Sequence, residues 1–280
     1  DRHAMPFNSV ADCVAIGRRL GALARQSEEQ SVVIVGGGLE GVEALGEILR
    51  RFPSRDPLRV CVVASGPRLL ASAPPALDAA VRAHAEPLGV HFRTGSPVTA
   101  VTRTRVELRS GERLHSDLTI WTGGAAAPPL LRGTGLVGKA GAWAPVTPAL
   151  QSRRMDNVFV AGDAAALPSP LAKQAYYAIQ MGRCAADNAR RWLAGRPLRI
   201  FKPEPKPMLV AFGDLDTFLV TGRSVIASPA LAVLKEAVFQ YTMAEFDPPL
   251  DASALKNLGA RLGGTARKLS LPGLASILRS

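Results

Sequence analysis

A short apolar strand, Val32-Val33-Ile34-Val35, runs directly into Gly36-Gly37-Gly38-Leu39-Glu40-Gly41-Val42-Glu43. Few sequence patterns constrain a fold more. Gly36 permits a tight turn out of the strand, Gly38 lets backbone approach a pyrophosphate, and Gly41 lets the next helix pack close to the sheet. That helix shows in Leu39, Val42, Leu45, Ile48, Leu49 and Phe52, an apolar stripe at helical spacing. A second strand, Val60-Cys61-Val62-Val63, follows on schedule. Phosphates placed here would meet unpaired N–H groups and the positive end of the helix dipole. Gly36, Gly37, Gly38, Leu39 and Gly41 are therefore expected to contact a dinucleotide.

The rest of the chain extends this βαβ unit. Ser9 stands ahead of Val10, Val14, Ile16, Leu20 and Leu23, a capped helix after a leading loop. Another helix is expected over residues 75–88, then a strand at Val90-His91-Phe92. Val101, Val106, Leu108 and Leu114 alternate with charge around Ser110-Gly111-Glu112, which predicts a β-meander. The strand from Leu118 ends at the turn Gly123-Gly124. Residues 125–148, rich in Ala, Gly and Pro, read as a crossover. Val158-Phe159-Val160-Ala161-Gly162-Asp163 reads as a second apolar strand ending in Gly-Asp, and residues 171–193 as one long helix. Residues 196–207 hold four prolines and read as a linker. Strands at 208–210 and 217–221, a helix over 231–241 and a tail complete the pattern.

Composition removes several function classes. The net charge of +11 favours an anionic partner. Aromatic residues are 5% of the chain and no basic run is interleaved with them, which argues against nucleic acid. Cys13, Cys61 and Cys184 are far apart, without a CxxC or CxxxxC, so neither a redox disulfide nor a zinc knuckle is expected. They read as reduced thiols of a cytoplasmic chain. His3, His84, His91 and His115 lack metal-like spacing and read as ordinary surface residues. No signal peptide or run of ~20 apolar residues is present, so any membrane contact is peripheral. In the tail, Leu255, Leu258, Leu262, Ala266 and Leu269 share one helical face, with Lys256, Arg261, Arg267 and Lys268 off it. Such a helix lies in the headgroup plane of an anionic membrane, packs on its own domain, or pairs two copies of the chain.

The carboxylate that usually closes the second strand and takes the ribose 2′-hydroxyl is missing. The strand runs on as Ala64-Ser65-Gly66-Pro67-Arg68, and Asp56 precedes it, at the wrong end of the sheet. Ser65 and Arg68 are candidates to hold a 2′-phosphate, with Arg68 alternatively capping its own loop. NADH and NADPH both stay open.

Gly36-x-Gly38-x-x-Gly41-Val42-Glu43-x-x-x-Glu47, with Gly66-Pro67-Arg68-Leu69-Leu70 and Asn157–Asp163, resembles the pyridine nucleotide-disulfide oxidoreductase superfamily, above all its type II NADH:quinone oxidoreductase branch. The resemblance implies an α/β fold with a Rossmann-like three-layer NAD(P)-binding domain carrying the β-meander. It adds the C-terminal part of an FAD-binding domain and a C-terminal α+β tail. The implied boundaries are 1–29 for the leading remnant, 30–126 for the NAD(P)H domain, 127–200 for the FAD part and 201–280 for the C-terminal part. The implied cofactors are FAD and NAD(P)H. Glu43 would approach the nicotinamide; otherwise Glu43 and Glu47 are solvated helix residues, with Glu47 paired to Arg51. Gly162 and Asp163 would orient the flavin ribityl chain, with Gly123 also near cofactor.

Lys173-Gln174-Ala175-Tyr176-Tyr177-Ala178-Ile179-Gln180-Met181-Gly182 is similar to the helix that begins beside the isoalloxazine, which places Gln174, Ala175 and Tyr176 at the flavin. Tyr176 and Met181 stand where glutamines are expected, which leaves the acceptor open, and Tyr176 and Tyr177 alternatively pack the core. With no cysteine pair, electrons would pass from NAD(P)H through flavin directly to an acceptor, and no catalytic acid or base is nominated. The resemblance begins after the family's first glycine-rich unit, so the chain is read as a fragment or a truncated form, and residues 1–280 alone are expected to bind FAD poorly. The expected function is an FAD-dependent NAD(P)H dehydrogenase. It would pass electrons to a quinone, working in the cytoplasm or on the inner face of the plasma membrane. The alternatives are reduction of a soluble, ferredoxin-like carrier and a non-catalytic NAD(P)-binding module.

Overall fold

The computed structural model describes residues 3–53, 57–213 and 215–244. They fall into two compact units, one of residues 1–123 with the described residues from 207 on, the other of residues 124–206. Asp56 and the apolar stripe from Leu255 to Leu269 lie outside the described residues.

The first unit opens with β1 (Met5–Pro6) and α1 (Val10–Leu23). Ser9 Oγ caps that helix, accepting from Asp12 N at 3.1 Å. β2 (Gln30–Val35), α2 (Leu39–Arg51), β3 (Leu58–Val63), α3 (Pro75–Ala85) and β4 (His91–Arg93) follow. The meander is β5 (Val98–Val101), β6 (Arg105–Leu108) and β7 (Arg113–His115), and the chain then returns to the main sheet as β8 (Leu118–Trp121). The parallel sheet has the order β1-β8-β2-β3-β4. Val32 and Ile34 face a core shared with the helices, whereas Val33 and Val35 face Val101, Val106 and Leu108 of the meander. A strand covered on both faces needs an unbroken apolar run, which is why Val32–Val35 does not alternate.

Two elements differ from the sequence reading. Met5–Pro6, expected as loop, is a parallel edge strand on β8, a place where proline's missing N–H is tolerated. The helix expected to reach residue 88 ends at Ala85 and closes in a 3-10 turn, Glu86–Leu88, because Pro87 cannot donate to the preceding turn.

The second unit contains β9 (Ala144–Pro145), which pairs in parallel with β10 (Ala165–Ala166), and α4 (Ala175–Leu193). Leu131, Val146, Leu150, Val160, Met181 and Ala185 form its core. Val158–Val160 is not a laddered strand: Phe159 bridges Gln151 alone, and Val160 N bonds to Leu150 O at 2.9 Å. α4 begins at Ala175, later than expected. Lys173 Nζ donates to Asp163 O at 2.6 Å and holds the preceding stretch out of the helix.

The proline-rich segment is a strap rather than a loose linker. Asn188, wholly buried, donates from Nδ2 to Arg199 O and to Ala149 O, each at 2.8 Å, and accepts from Arg199 N at 2.8 Å. Two turns earlier Gln180 does the same with Glu204, donating to its O at 3.3 Å and accepting from its N at 3.0 Å. These two amides pin the strap antiparallel to α4. Gln180, on the helix likened to the one that begins beside the isoalloxazine, therefore has its amide committed to the strap.

The chain then rejoins the first unit as the antiparallel sheet β11 (Met208–Phe212), β12 (Asp216–Thr221) and β13 (Ser224–Ala227), followed by α5 (Leu231–Ala244). β13 had no sequence reading. β11 meets α2 glycine to glycine: a Cβ on Gly46 would lie 2.5 Å from Gly213 N, and Gly213 has φ +58°. Phe212 and Phe218 are fully buried, and His84 of α3 stacks on both rings and bonds to Asp216 Oδ2 at 3.0 Å. His84 is thus an inter-element tie, not an ordinary surface histidine. The leading helix and β11–α5 pack with the parallel-sheet unit, joining segments that the sequence reading kept apart. Among the described residues, no helix is long and apolar enough to cross a membrane.

Candidate functional site

Around the β2–α2 turn, three glycines are demanded by the fold and one is not. Gly36 has φ +131°, and a Cβ there would strike the Thr122 carbonyl. A Cβ on Gly37 would lie 2.6 Å from that of Ala64, and one on Gly41 would collide with Gly36 O. Gly38 is different. Its φ of −82° and ψ of −170° suit any residue, and a Cβ there would meet nothing within 4 Å among the described residues. It caps α2, with Leu39 as the first helical residue, so the first-turn N–H groups lack helical partners. Thr122, which sequence reasoning missed, braces the turn by donating from Oγ1 to Val35 O at 3.1 Å and Gly36 O at 3.3 Å. Gly123 beside it is required by packing, since a Cβ would press on the Trp121 ring at 2.8 Å.

The Gly66–Leu70 motif forms the back wall of this turn. Leu70 N donates to Gly37 O at 2.7 Å, and Leu69, fully buried, donates its N–H to Asp78 Oδ1 at 2.9 Å. Arg68 donates from Nη1 to Ala71 O at 2.8 Å and from Nη2 to Ala73 O at 2.9 Å. Both terminal nitrogens are engaged in capping the loop, which leaves Ser65 as the exposed polar group at the strand end. Ala64 is 3% exposed and lies against Gly37, so a new carboxylate is accommodated at residue 65 and not at 64. Ser65→Asp is expected to move preference toward NADH by about tenfold, through a new acceptor for the 2′-hydroxyl and repulsion of a 2′-phosphate. Parallel NADH and NADPH titrations check it; an unchanged ratio refutes this reading of the strand end.

Glu43 is bound on its own side of the fold. Its Oε1 accepts from Ala211 N at 3.2 Å and pairs with Lys235 Nζ. The carboxylate thus ties α2 to β11 and α5, leaving Oε2 for any nicotinamide contact. Glu47 pairs with Arg50 at 2.7 Å, not with Arg51.

The second unit holds a cavity of about 300 Å³, walled by Trp143, Gly162, Asp163, Lys173, Gln174 and Tyr177 among others. Gly162 takes φ +63° and turns its bare Cα toward Ala178. The Asp163 side chain is exposed, with no hydrogen bond or ion pair to a described residue. Lys173 Nζ sits 4.8 Å over the Trp143 ring, while Trp143 Nε1 is buried without a partner among the described residues. Gln174 caps α4 without a side-chain bond, and Ala175 opens the helix. Tyr176 packs against Tyr177 with centroids 4.2 Å apart and ring planes tilted by 44°, and Tyr177 rather than Tyr176 lines the cavity. Burial and then the Tyr177 hydroxyl push the Tyr176 phenol well above its ordinary pKa. Trp143 and Lys173 were not nominated as site residues. They lie thirty positions apart, and no local pattern joins them.

A parallel βαβ unit with a glycine cradle, and a Gly-Asp turn beside the N-terminus of a helix, define a dinucleotide-binding oxidoreductase fold. The chain belongs to the pyridine nucleotide-disulphide oxidoreductase family, which matches residues 9–182. FAD and NAD(P)H are the cofactors of that family. The demethylphylloquinone reductase NdbB of Synechocystis is 27% identical over 85% of this chain and 61% of its own length. The type II NADH:quinone oxidoreductase of Staphylococcus aureus is 24% identical over 76% of this chain and 57% of its own. The chain therefore spans little more than half the length of these relatives. The crystal structure of the sulfide:quinone oxidoreductase from Aquifex aeolicus shares the fold, with a TM-score of 0.72 at 14% identity, over 86% of this chain and 63% of that one.

Proposed function

We propose that this chain serves flavin-dependent oxidation of NAD(P)H with a quinone as acceptor. Residues 36–41 hold the nicotinamide dinucleotide in this reading, and the cavity beside Asp163 holds the inner part of the flavin. Gly38 carries the reading, because neither φ nor packing among the described residues requires a glycine there, whereas a pyrophosphate does. The names of the two relatives, a demethylphylloquinone reductase and an NADH:quinone oxidoreductase, support a quinone acceptor.

The residues of the second unit suit a flavin. The unpartnered Trp143 Nε1 offers a donor, the Asp163 carboxylate an acceptor for sugar hydroxyls, and Gly162 a close approach. Held there, the nicotinamide would supply hydride-donor chemistry and the flavin hydride-acceptor and electron-relay chemistry. The chain's share is to bind, orient and exclude water: Lys173 and the first turn of α4 present positive potential, and the rings of Trp143 and Tyr177 wall the cavity.

In flavin-loaded protein, Asp163→Ala is expected to weaken flavin retention about tenfold and to lower NAD(P)H:quinone turnover in step, with an unchanged unfolding midpoint. Flavin absorbance and nicotinamide oxidation with a short-chain quinone measure both. Unaltered flavin content and turnover would remove Asp163 from the site. Turnover confined to a ferredoxin-like acceptor would replace the quinone reading.

A further inference from the structure

The positive charge of this chain is unevenly placed. Residues 124–206 contain twelve Lys and Arg against four Asp and Glu, which accounts for eight of the eleven net positive charges. Within that unit, the last turn of α4 and the strap beside it expose three large apolar side chains. Trp192 is 38% exposed, Leu193 78% and Ile200 65%. Exposed cations interleave with them: Arg190, Arg196, Arg199 and Lys202. Two acids lie near them: Asp187, bonded to Arg190 and Arg199 at 3.4 Å each, and Glu204, exposed further along the strap.

Ile200 is held beside the helix and does not swing loose. The Asn188 amide grips both backbone groups of Arg199, and Arg191 Nε donates to Pro197 O at 2.6 Å. Gly195, at φ +63°, makes the turn from helix to strap. An aromatic and two aliphatic side chains interspersed along the chain with Lys and Arg match what an anionic lipid surface requires. The apolar groups enter the acyl boundary, indole settles at headgroup depth, and the cations meet lipid phosphates. An acidic protein partner would use the charges but gives no reason to expose Leu193 and Ile200 together with Trp192.

From this charge complementarity we infer that the C-terminal turn of α4, with residues 196–202, is a membrane-docking surface for bilayers rich in anionic phospholipid. The surface lies wholly within the second unit and stands independently of the hydride-transfer reading.

Vesicle flotation tests it with the full 280-residue chain, comparing phosphatidylcholine vesicles with vesicles of phosphatidylcholine and phosphatidylglycerol. The chain is expected to float with the anionic vesicles at low salt and to be released at high salt. R190Q/R196Q/K202Q is expected to weaken that partition by about a hundredfold, about fivefold for each charge removed. L193S/I200S is expected to weaken it with all charges kept. Lipid is expected to shift indole emission to the blue, and W192F to abolish the shift while Trp121 and Trp143 remain. Thermal melts that match the parent confirm that the variants fold. Equal binding to both vesicle types would overturn the inference. Anionic binding unaffected by the triple variant would place the lipid contact elsewhere, with the same result. Absence of vesicle binding alongside salt-sensitive binding to an acidic ferredoxin would make the patch a protein-docking face and would also overturn it.

Discussion

Gly38→Val is expected to weaken NAD(P)H binding by well over tenfold while moving the unfolding midpoint by no more than about 2 °C. The asymmetry follows from geometry. The backbone at Gly38 is extended, and a Cβ there meets nothing within 4 Å among the described residues, so valine is tolerated in the unliganded chain. The volume it fills is the volume a pyrophosphate needs above the first turn of α2. Gly41→Ala is the matched control. Its Cβ would collide with Gly36 O and press on Thr122, and overpacking of that kind costs about 1–3 kcal/mol. Fluorescence titration with NADH, beside thermal melts of both variants, separates the two cases. Parent-like affinity in the valine variant would remove the dinucleotide from this turn.

Asn188→Ala is expected to destabilise the second unit by about 3 kcal/mol, a fall of roughly 12–24 °C in its melting transition. The asparagine is wholly buried and makes three hydrogen bonds of 2.8 Å to main-chain groups of Ala149 and Arg199. Truncation strips the buried Ala149 carbonyl and the half-buried backbone groups of Arg199 of this partner, which is the costly way to lose a hydrogen bond. Gln180→Ala removes the analogous pair with Glu204, whose backbone is exposed, and should cost about 1 kcal/mol or less. Calorimetric melts of the two variants decide the matter. Equal effects would show that burial at Asn188 is not what holds the strap.

The sequence was most legible where local pattern and fold agree. The run Val32–Val35, the glycines that follow and the stripe of α2 place a strand, a turn and a helix within a residue or two of their observed bounds. The meander was readable for the same reason, since a period of two is a local property of a half-buried strand. Reading failed at Val158–Val160, where apolar content implied a strand but a ladder needs a neighbour, and Phe159 has only a bridge to Gln151. It failed again at residues 171–174, whose extended path depends on a contact from Lys173 to Asp163 O.

The candidate site divides along the same line. By itself the sequence determined that residues 30–63 form a dinucleotide-type βαβ unit, because glycine spacing and apolar period act through neighbouring backbone atoms. Only the tertiary structure separated the glycines required by steric contact from the one left open for a ligand, because the contacting atoms of Thr122, Ala64 and Leu69 lie on other strands and loops. It likewise set Lys173 over Trp143, bound Glu43 to Lys235 and gave His84 its partner in Asp216. Those pairs are separated by 30, 192 and 132 positions. A side chain's partner at such range is chosen by how elements pack, and packing is not encoded in any local window of the chain.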